Sequence, residues 1–324
     1  LNDRVSYEIK RKFTYALDFK SSEYLRLPWK DDSNSMKPQT VEFRFRSPIS
    51  KDQVLLHKGT GNDSWAIQLQ DNGQSDDYGY LQFSLSSSVG MTYITSSLQP
   101  FYNDDMWSVM LTRVSSSGAR LTTNGIDSKV KYELIAKQYD STREVILYQT
   151  SGSVIVDGSG GSGTAGYKQN QYWVTSTNTR LGGNSNGKFG SMFSGSLMEY
   201  RLWSEPLSQS RFDDHVRAPK AYNGNYSGSA YNNLVFKLPL NDNITMTNAS
   251  TLDDKSAQLS YEATATTNGF GGANNFRSIV DLEQLKVPNV GPQRRNATKI
   301  RIEDQQLDGR LLTPEARVAA SAYD

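Results

Sequence analysis

Apolar side chains recur at every second position through most of the first 216 residues, and no helical period longer than three turns interrupts them. Val41, Phe43 and Phe45 alternate with Glu42, Arg44 and Arg46, the pattern of a strand with one dry face and one wet, charged face. Phe13, Tyr15, Leu17 and Phe19 share a face in the same way, with Ala16 and Asp18 opposite. Gln53 to Lys58 and Trp65 to Leu69 form a candidate pair, and Asp71, Asn72 and Gly73 supply turn chemistry, since Asn and Gly tolerate positive φ. Leu81, Phe83 and Leu85 point inward, as do Trp107, Val109 and Leu111. Short alternating strands separated by turn residues predict an all-β, antiparallel β-sandwich.

The most informative stretch runs from Thr179 to Ser208. Thr179-Arg180-Leu181 is a strand that ends on Gly182-Gly183, and a Gly/Asn loop leads to a second strand at Phe193 to Trp203. Phe193 and Leu197 keep one phase, whereas Tyr200 and Leu202 are one place out of step. A one-residue bulge near Met198 and Glu199 would return both sets to the core face. Ser208 then fits a helix N-cap, with Leu207 and Phe212 spaced for a hydrophobic staple; Arg211 at N3 rules out a capping box.

These residues resemble the end of a laminin-G-like, concanavalin A-like lectin/glucanase domain: Leu-Gly-Gly, a loop, Phe-x-Gly-x-Leu-x-Glu-x-Arg-Leu-Trp, then Pro206-Leu207-Ser208. Tyr15 to Phe19 with Tyr24-Leu25, and Pro38 to Arg46, resemble the opening strands of the same family, so the likeness spans about Phe13 to Val216. It implies a jelly-roll sandwich. Met198 departs from the pattern, because the family usually carries an acidic residue there. The family often binds calcium at the sandwich rim, so calcium is the one metal carried forward, through Asp71, Asp76 and Asp77 or Asn103, Asp104 and Asp105; no cofactor is otherwise expected.

A second resemblance lies near the C-terminus. Lys299 to Asp304, Leu307, Gly309, Leu312, Pro314, Arg317 and Ser321 to Asp324 resemble a segment of the long structural proteins of tailed, T4-like bacteriophage virions. What this implies is a non-enzymatic virion structural protein that contacts other virion proteins, forms a homo-oligomer within a symmetric particle, and presents a surface for a host glycan. The alternatives are a carbohydrate-binding adhesin of a bacterial surface, extracellular rather than virion-borne, and a glycoside hydrolase of the concanavalin-type fold.

Organisation along the chain follows from composition. Residues 119–157 exceed what a minimal sandwich needs and read as an elaborated hairpin, with Asn124-Gly125 as the turn and Val130, Tyr132 and Leu134 facing inward. Gly158 to Gly166 reads as a loop. Ala221 to Asn233, rich in Tyr, Asn, Gly and Ser, suggests a boundary, giving a sandwich over 1–222 and an extended C-terminal segment over 223–324 that orders by docking. A start at Leu1 and an end at Asp324 in mid-pattern suggest a piece of a longer chain.

Several chemistries lack material. The formal charge is +1, which gives no bulk field for nucleic acid or anionic lipid, and no apolar run approaches a membrane span. Without cysteine there is no disulfide or thiol chemistry, and two histidines restrict zinc sites and catalytic triads. No strand carries two carboxylates at the spacing a retaining glycosidase needs, because Glu42 alternates with Arg44 and Arg46, and Glu199 with Arg201. Glu199 is expected in a cross-strand ion pair, His57 is structural, and His215 lies near a helix end. No catalytic residue is assigned. Trp65, Trp107 and Trp203 are expected in the core, while Tyr78, Tyr102, Tyr167, Tyr222, Tyr226 and Tyr231 are loop tyrosines that could stack on a sugar or anchor a protein.

Overall fold

The computed structural model describes residues 13–29, 38–60, 63–87, 90–115, 121–122, 125–126, 129–140, 143–157, 173, 179–184, 189–226, 233–241, 244–256 and 265–280. Residues 14–279 form one compact unit; the other unit, 1–13 and 280–324, lies outside the described residues except at Phe13 and Val280.

Two large sheets build an antiparallel β-sandwich. The first runs in the order β12 (Val145–Asp157), β11 (Lys129–Asp140), β8 (Trp107–Ser115), β3 (Thr40–Arg46), β15 (Gly195–Trp203), β1 (Phe13–Phe19) and β21 (Phe276–Val280). β16 (Leu234–Leu238) pairs with the later half of β15, beyond the residues of β15 that pair with β1. The second runs β18 (Thr251–Leu252), β19 (Ala265–Asn268), β2 (Tyr24–Leu27), β13 (Thr179–Leu181), β4 (Gln53–Thr60), β5 (Asp63–Asp71), β6 (Gly79–Ser87) and β7 (Gly90–Thr95). A short β14 (Ser191–Met192) lies parallel to β4. Two minor pairs, β9 (Leu121–Thr122) with β10 (Gly125–Ile126) and β17 (Thr245–Thr247) with β20 (Gly271–Asn274), complete the strands. Among the described residues the one long helix is α1 (Gln209–Arg217).

The core sits between the sheets, where the alternation places it. Val41, Phe43, Phe45, Leu81, Phe83, Leu85, Trp107, Val109 and Leu111 are all buried in one cluster, each such side chain contributing about 1.5–3 kcal/mol of transfer free energy. Phe83 on β6 meets Tyr132 on β11 with ring centroids 5.2 Å apart, which ties one sheet to the other. Trp65 stacks on Trp173 at 5.1 Å and 16°, and Trp29 meets both edge-on. Lys58 lies over the Trp29 ring at 4.8 Å, so this part of the interior holds a cation against aromatic faces.

The phase change in β15 is resolved as the sequence predicts. Met198 faces Arg44 and Arg201 faces Glu42, so β15 carries one residue more than β3 between those pairs, and Glu199 takes φ 52°. Leu197, Tyr200 and Leu202 are thereby all fully buried. The Leu-Gly-Gly ending has a steric cause as well. Gly182 has φ 79°, and a Cβ there would lie 2.6 Å from the Phe19 ring.

Two expectations are corrected. Glu42, expected on the wet face of its strand, is 4% exposed, because further chain covers the outer side of the first sheet. Within 119–157, β11 of 12 residues and β12 of 13 pair along their length. The division expected at residue 222 falls inside the compact unit, since β16 pairs with β15 and β19 with β2. Gly158 to Gly166 and Lys299 to Asp324 lie outside the described residues.

Candidate functional site

The outer face of the first sheet gathers most of the unusual polar chemistry, and α1 organises it. Ser208 caps the helix by accepting from the Arg211 N–H at 3.3 Å, and Leu207, Phe212 and Val216 pack onto Met110, Ile135, Trp203 and Leu234. The staple read from the sequence is therefore what seats the helix on β8, β11, β15 and β16. Two ion pairs pin it further. Lys137 Nζ meets Asp213 at 2.5 Å, and His215 Nδ1 meets Glu42 at 2.9 Å.

Glu42 is the hub of a buried network. Its Oε2 accepts from Trp203 Nε1 at 2.6 Å, while His215 stacks on the Trp203 ring at 5.6 Å and 16°. The other imidazole nitrogen, Nε2, lies 2.9 Å from the Asn223 carbonyl oxygen. With a carboxylate on one side and a carbonyl on the other, both nitrogens face hydrogen-bond acceptors. Burial alone would raise the Glu42 carboxyl; the charge and hydrogen bond of His215, with Arg201 and Trp203, outweigh it and hold the group below its ordinary value. Beside it, Arg201 donates to Glu199 at 2.8 Å, to the Ala221 carbonyl at 2.7 Å and to the Pro219 carbonyl. Glu199 is thus paired within its own strand and buried, not across strands on a wet face. The space between Glu42, Glu199, Arg201 and His215 is about 10 Å³, no more than one water occupies.

A much larger groove, about 320 Å³, opens beside the helix. It is lined by Ile135 and Lys137 on β11, Gln149, Thr150 and Ser151 on β12, Ser97, and Gln209 at the start of α1. Its wall is made of hydroxyls and amides around one apolar side chain, and its single cation is already committed to Asp213. Among the described residues no carboxylate lines it, and the surface offers hydrogen-bond donors and acceptors.

The residues singled out in the sequence are spread over the fold. His57 is fully buried under Phe189, with ring centroids 5.5 Å apart, and burial together with the Arg180 charge lowers its pKa to about 4. Trp65, Trp107 and Trp203 are fully buried, as expected. Of the loop tyrosines, Tyr78, Tyr222 and Tyr226 are exposed, and Tyr222 carries Lys237 over its ring at 4.3 Å. Tyr102 is instead buried, its hydroxyl donating to the Lys51 carbonyl at 3.0 Å; Tyr167 and Tyr231 lie outside the described residues. In each calcium candidate one aspartate already accepts from protein donors. Both Asp104 oxygens take the Arg46 guanidinium, at 2.8 and 2.5 Å, while Asp71 Oδ1 accepts from Ser50 and the Gly73 N–H. Among the described residues no group of three acidic or imidazole side chains converges as a metal site. The groove residues went unremarked in the sequence, although Gln149, Ser151 and Ser153 form a polar stripe on β12 that alternation alone exposes.

No protein-family model and no curated protein matches the chain. Solved structures overlap it partially. Full-length tailspike protein 2 of an Escherichia coli O157:H7 bacteriophage aligns over 68% of this chain and 29% of its own, at 11% identity and TM-score 0.39. The enzymatically active domain of tailspike protein 2 of bacteriophage CBA120 covers 74% of this chain and 34% of its own, at 11% identity and TM-score 0.41. Domains LG4-5 of the mouse laminin α1 chain cover 64% and 46%, at 13% identity and TM-score 0.34. The chain spans about a third of the tailspike structures' length.

Proposed function

We propose that this chain is a non-enzymatic structural protein of a phage virion, whose laminin-G-like sandwich serves subunit interaction and glycan binding through the groove beside α1. The observation that carries the glycan half is the groove's lining: Ser97, Gln149, Thr150, Ser151 and Gln209 present hydroxyls and amides with no carboxylate among them. The carboxylates nearest the sheet centre support the non-enzymatic half, since Glu42 is engaged by His215 and Trp203 and Glu199 by Arg201, around a space too small for a sugar. The virion assignment rests on the C-terminal sequence resemblance.

Two measurements test the reading. A glycan array, run with and without calcium, gives at least one ligand whose affinity falls about tenfold in Gln149→Ala and Gln209→Ala, the loss expected for one or two polar contacts. An array without any binding removes the glycan half. Antibody labelling of purified particles finds the chain in mature virions, and its absence there rejects the virion assignment.

A further inference from the structure

β12 ends the first sheet, and among the described residues β11 is the only strand paired with it. An open edge of 13 residues is long, and natural sheets protect such edges with charge, proline or short length. This one has no proline, and its one charge, Asp157, stands at its end; from Val145 to Val156 the sequence is Val-Ile-Leu-Tyr-Gln-Thr-Ser-Gly-Ser-Val-Ile-Val. Its one irregularity is a bulge at Leu147, which the pairing with β11 skips between Ile146 and Tyr148. Val145, Leu147 and Ile155 are 45%, 40% and 58% exposed. The strand is nevertheless held in place from beneath. Thr150 Oγ1 accepts from the Ser97 N–H at 3.2 Å, and a Cβ on Gly152 would lie 2.6 Å from Ile94, so β12 rests on the end of β7 and keeps its edge outward.

We propose that a second copy of this chain adds to β12, antiparallel about a two-fold axis at Ser151, so that two first sheets join into one. The occupant follows from self-complementarity. In that register Leu147 of one copy faces Ile155 of the other and Gln149 faces Ser153, while Ser151, small and neutral, meets itself on the axis. Leu147 and Ile155 each gain an apolar neighbour, Val145 at the strand's end faces Asp157, and no like charges are opposed. Pairing uses backbone groups at the edge, so Gln149 and Ser151 remain on the outer face and the two grooves come to lie side by side. The inference deepens the subunit-interaction half of the proposed function and is independent of what the groove binds.

Sedimentation velocity of the 324-residue chain tests it. The expected result is a concentration-dependent dimer that Ile155→Lys weakens at least about tenfold, because the added charge faces a desolvated apolar neighbour. Because the chain has no cysteine, Ser151→Cys gives a single thiol. Facing residues in an antiparallel pair have Cα atoms about 4.5–5.5 Å apart, within disulfide range, so mild oxidation converts Ser151→Cys to a covalent dimer while Ser194→Cys stays monomeric. A chain that sediments as a monomer at every concentration overturns the proposal. So does a dimer that Ile155→Lys leaves intact and Ser151→Cys fails to cross-link. Glycan binding by the Ile155→Lys variant reports separately on the groove.

Discussion

His57 illustrates how a residue's chemistry is fixed by its neighbours. It stands opposite Arg180 in the β4–β13 pairing and under Phe189, and both burial and the adjacent cation disfavour its charged form. The unfolded chain takes up this proton near pH 6.5 and the folded one only near pH 4. Stability from this group is therefore constant above pH 6.5 and declines as pH falls toward 4, by up to about 3 kcal/mol. Urea midpoints measured between pH 7 and 4 fall along that slope, and His57→Gln flattens it. That His57 is structural was legible from its place after Val54-Leu55-Leu56. Its lowered pKa was not, since Arg180 and Phe189 lie more than a hundred residues away. Tyr102 fails as a surface residue for a related reason: its loop position is local, but the Lys51 carbonyl that draws it inward is supplied by a distant turn.

At the level of elements, α1 is a short helix made stable by its attachments. Its cap satisfies one terminal N–H, worth about 1 kcal/mol, and its staple buries Leu207 and Phe212. The Glu42–His215 pair adds an anchor at the opposite end of the helix, where cations favour the dipole. Glu42→Gln removes the carboxylate that balances His215 and Arg201 inside a buried site, and the expected cost is about 3 kcal/mol. Chemical denaturation measures that loss, and Trp203 emission reports the disturbed stacking directly. Because Glu42 is held below its ordinary pKa, its contribution is present above the ordinary value of 4.5 and is lost as pH falls below it. The cap, the staple and the bulge were all visible in the sequence, since each depends on spacings of a few residues. The anchor was not, because Glu42 and His215 are 173 positions apart.

For the whole molecule, the strands after residue 233 complete the sandwich. β16 continues the edge of β15 beyond β1, β19 flanks β2, and the Asp18 N–H donates to the Asn275 carbonyl at 2.7 Å. A chain ending at Tyr222 would leave the β15 edge unpaired along Tyr200 to Trp203, and β2 without its outer neighbour. The expected outcome is loss of a cooperative thermal transition, measured by calorimetry, where two independent domains would have left the truncated sandwich intact. Composition misled here: Tyr, Asn, Gly and Ser between Ala221 and Asn233 mark a surface connection, and a connection within one domain has the same chemistry as one between two.

The sequence by itself determined that this chain makes two-faced strands, where its bulge falls and how its helix begins, because these are set by steric and hydrogen-bonding rules that act over one to five residues. Tertiary structure alone decided which polar groups would be dry and which would line a surface. Glu42, Glu199, Arg201 and His215 became a sealed network, and Ser97, Gln149, Thr150, Ser151 and Gln209 an open groove, because strands and a helix distant along the chain cover one set and leave the other facing water. Desolvation and charge pairing depend on what lies within a few ångströms in space, and no local pattern carries that information.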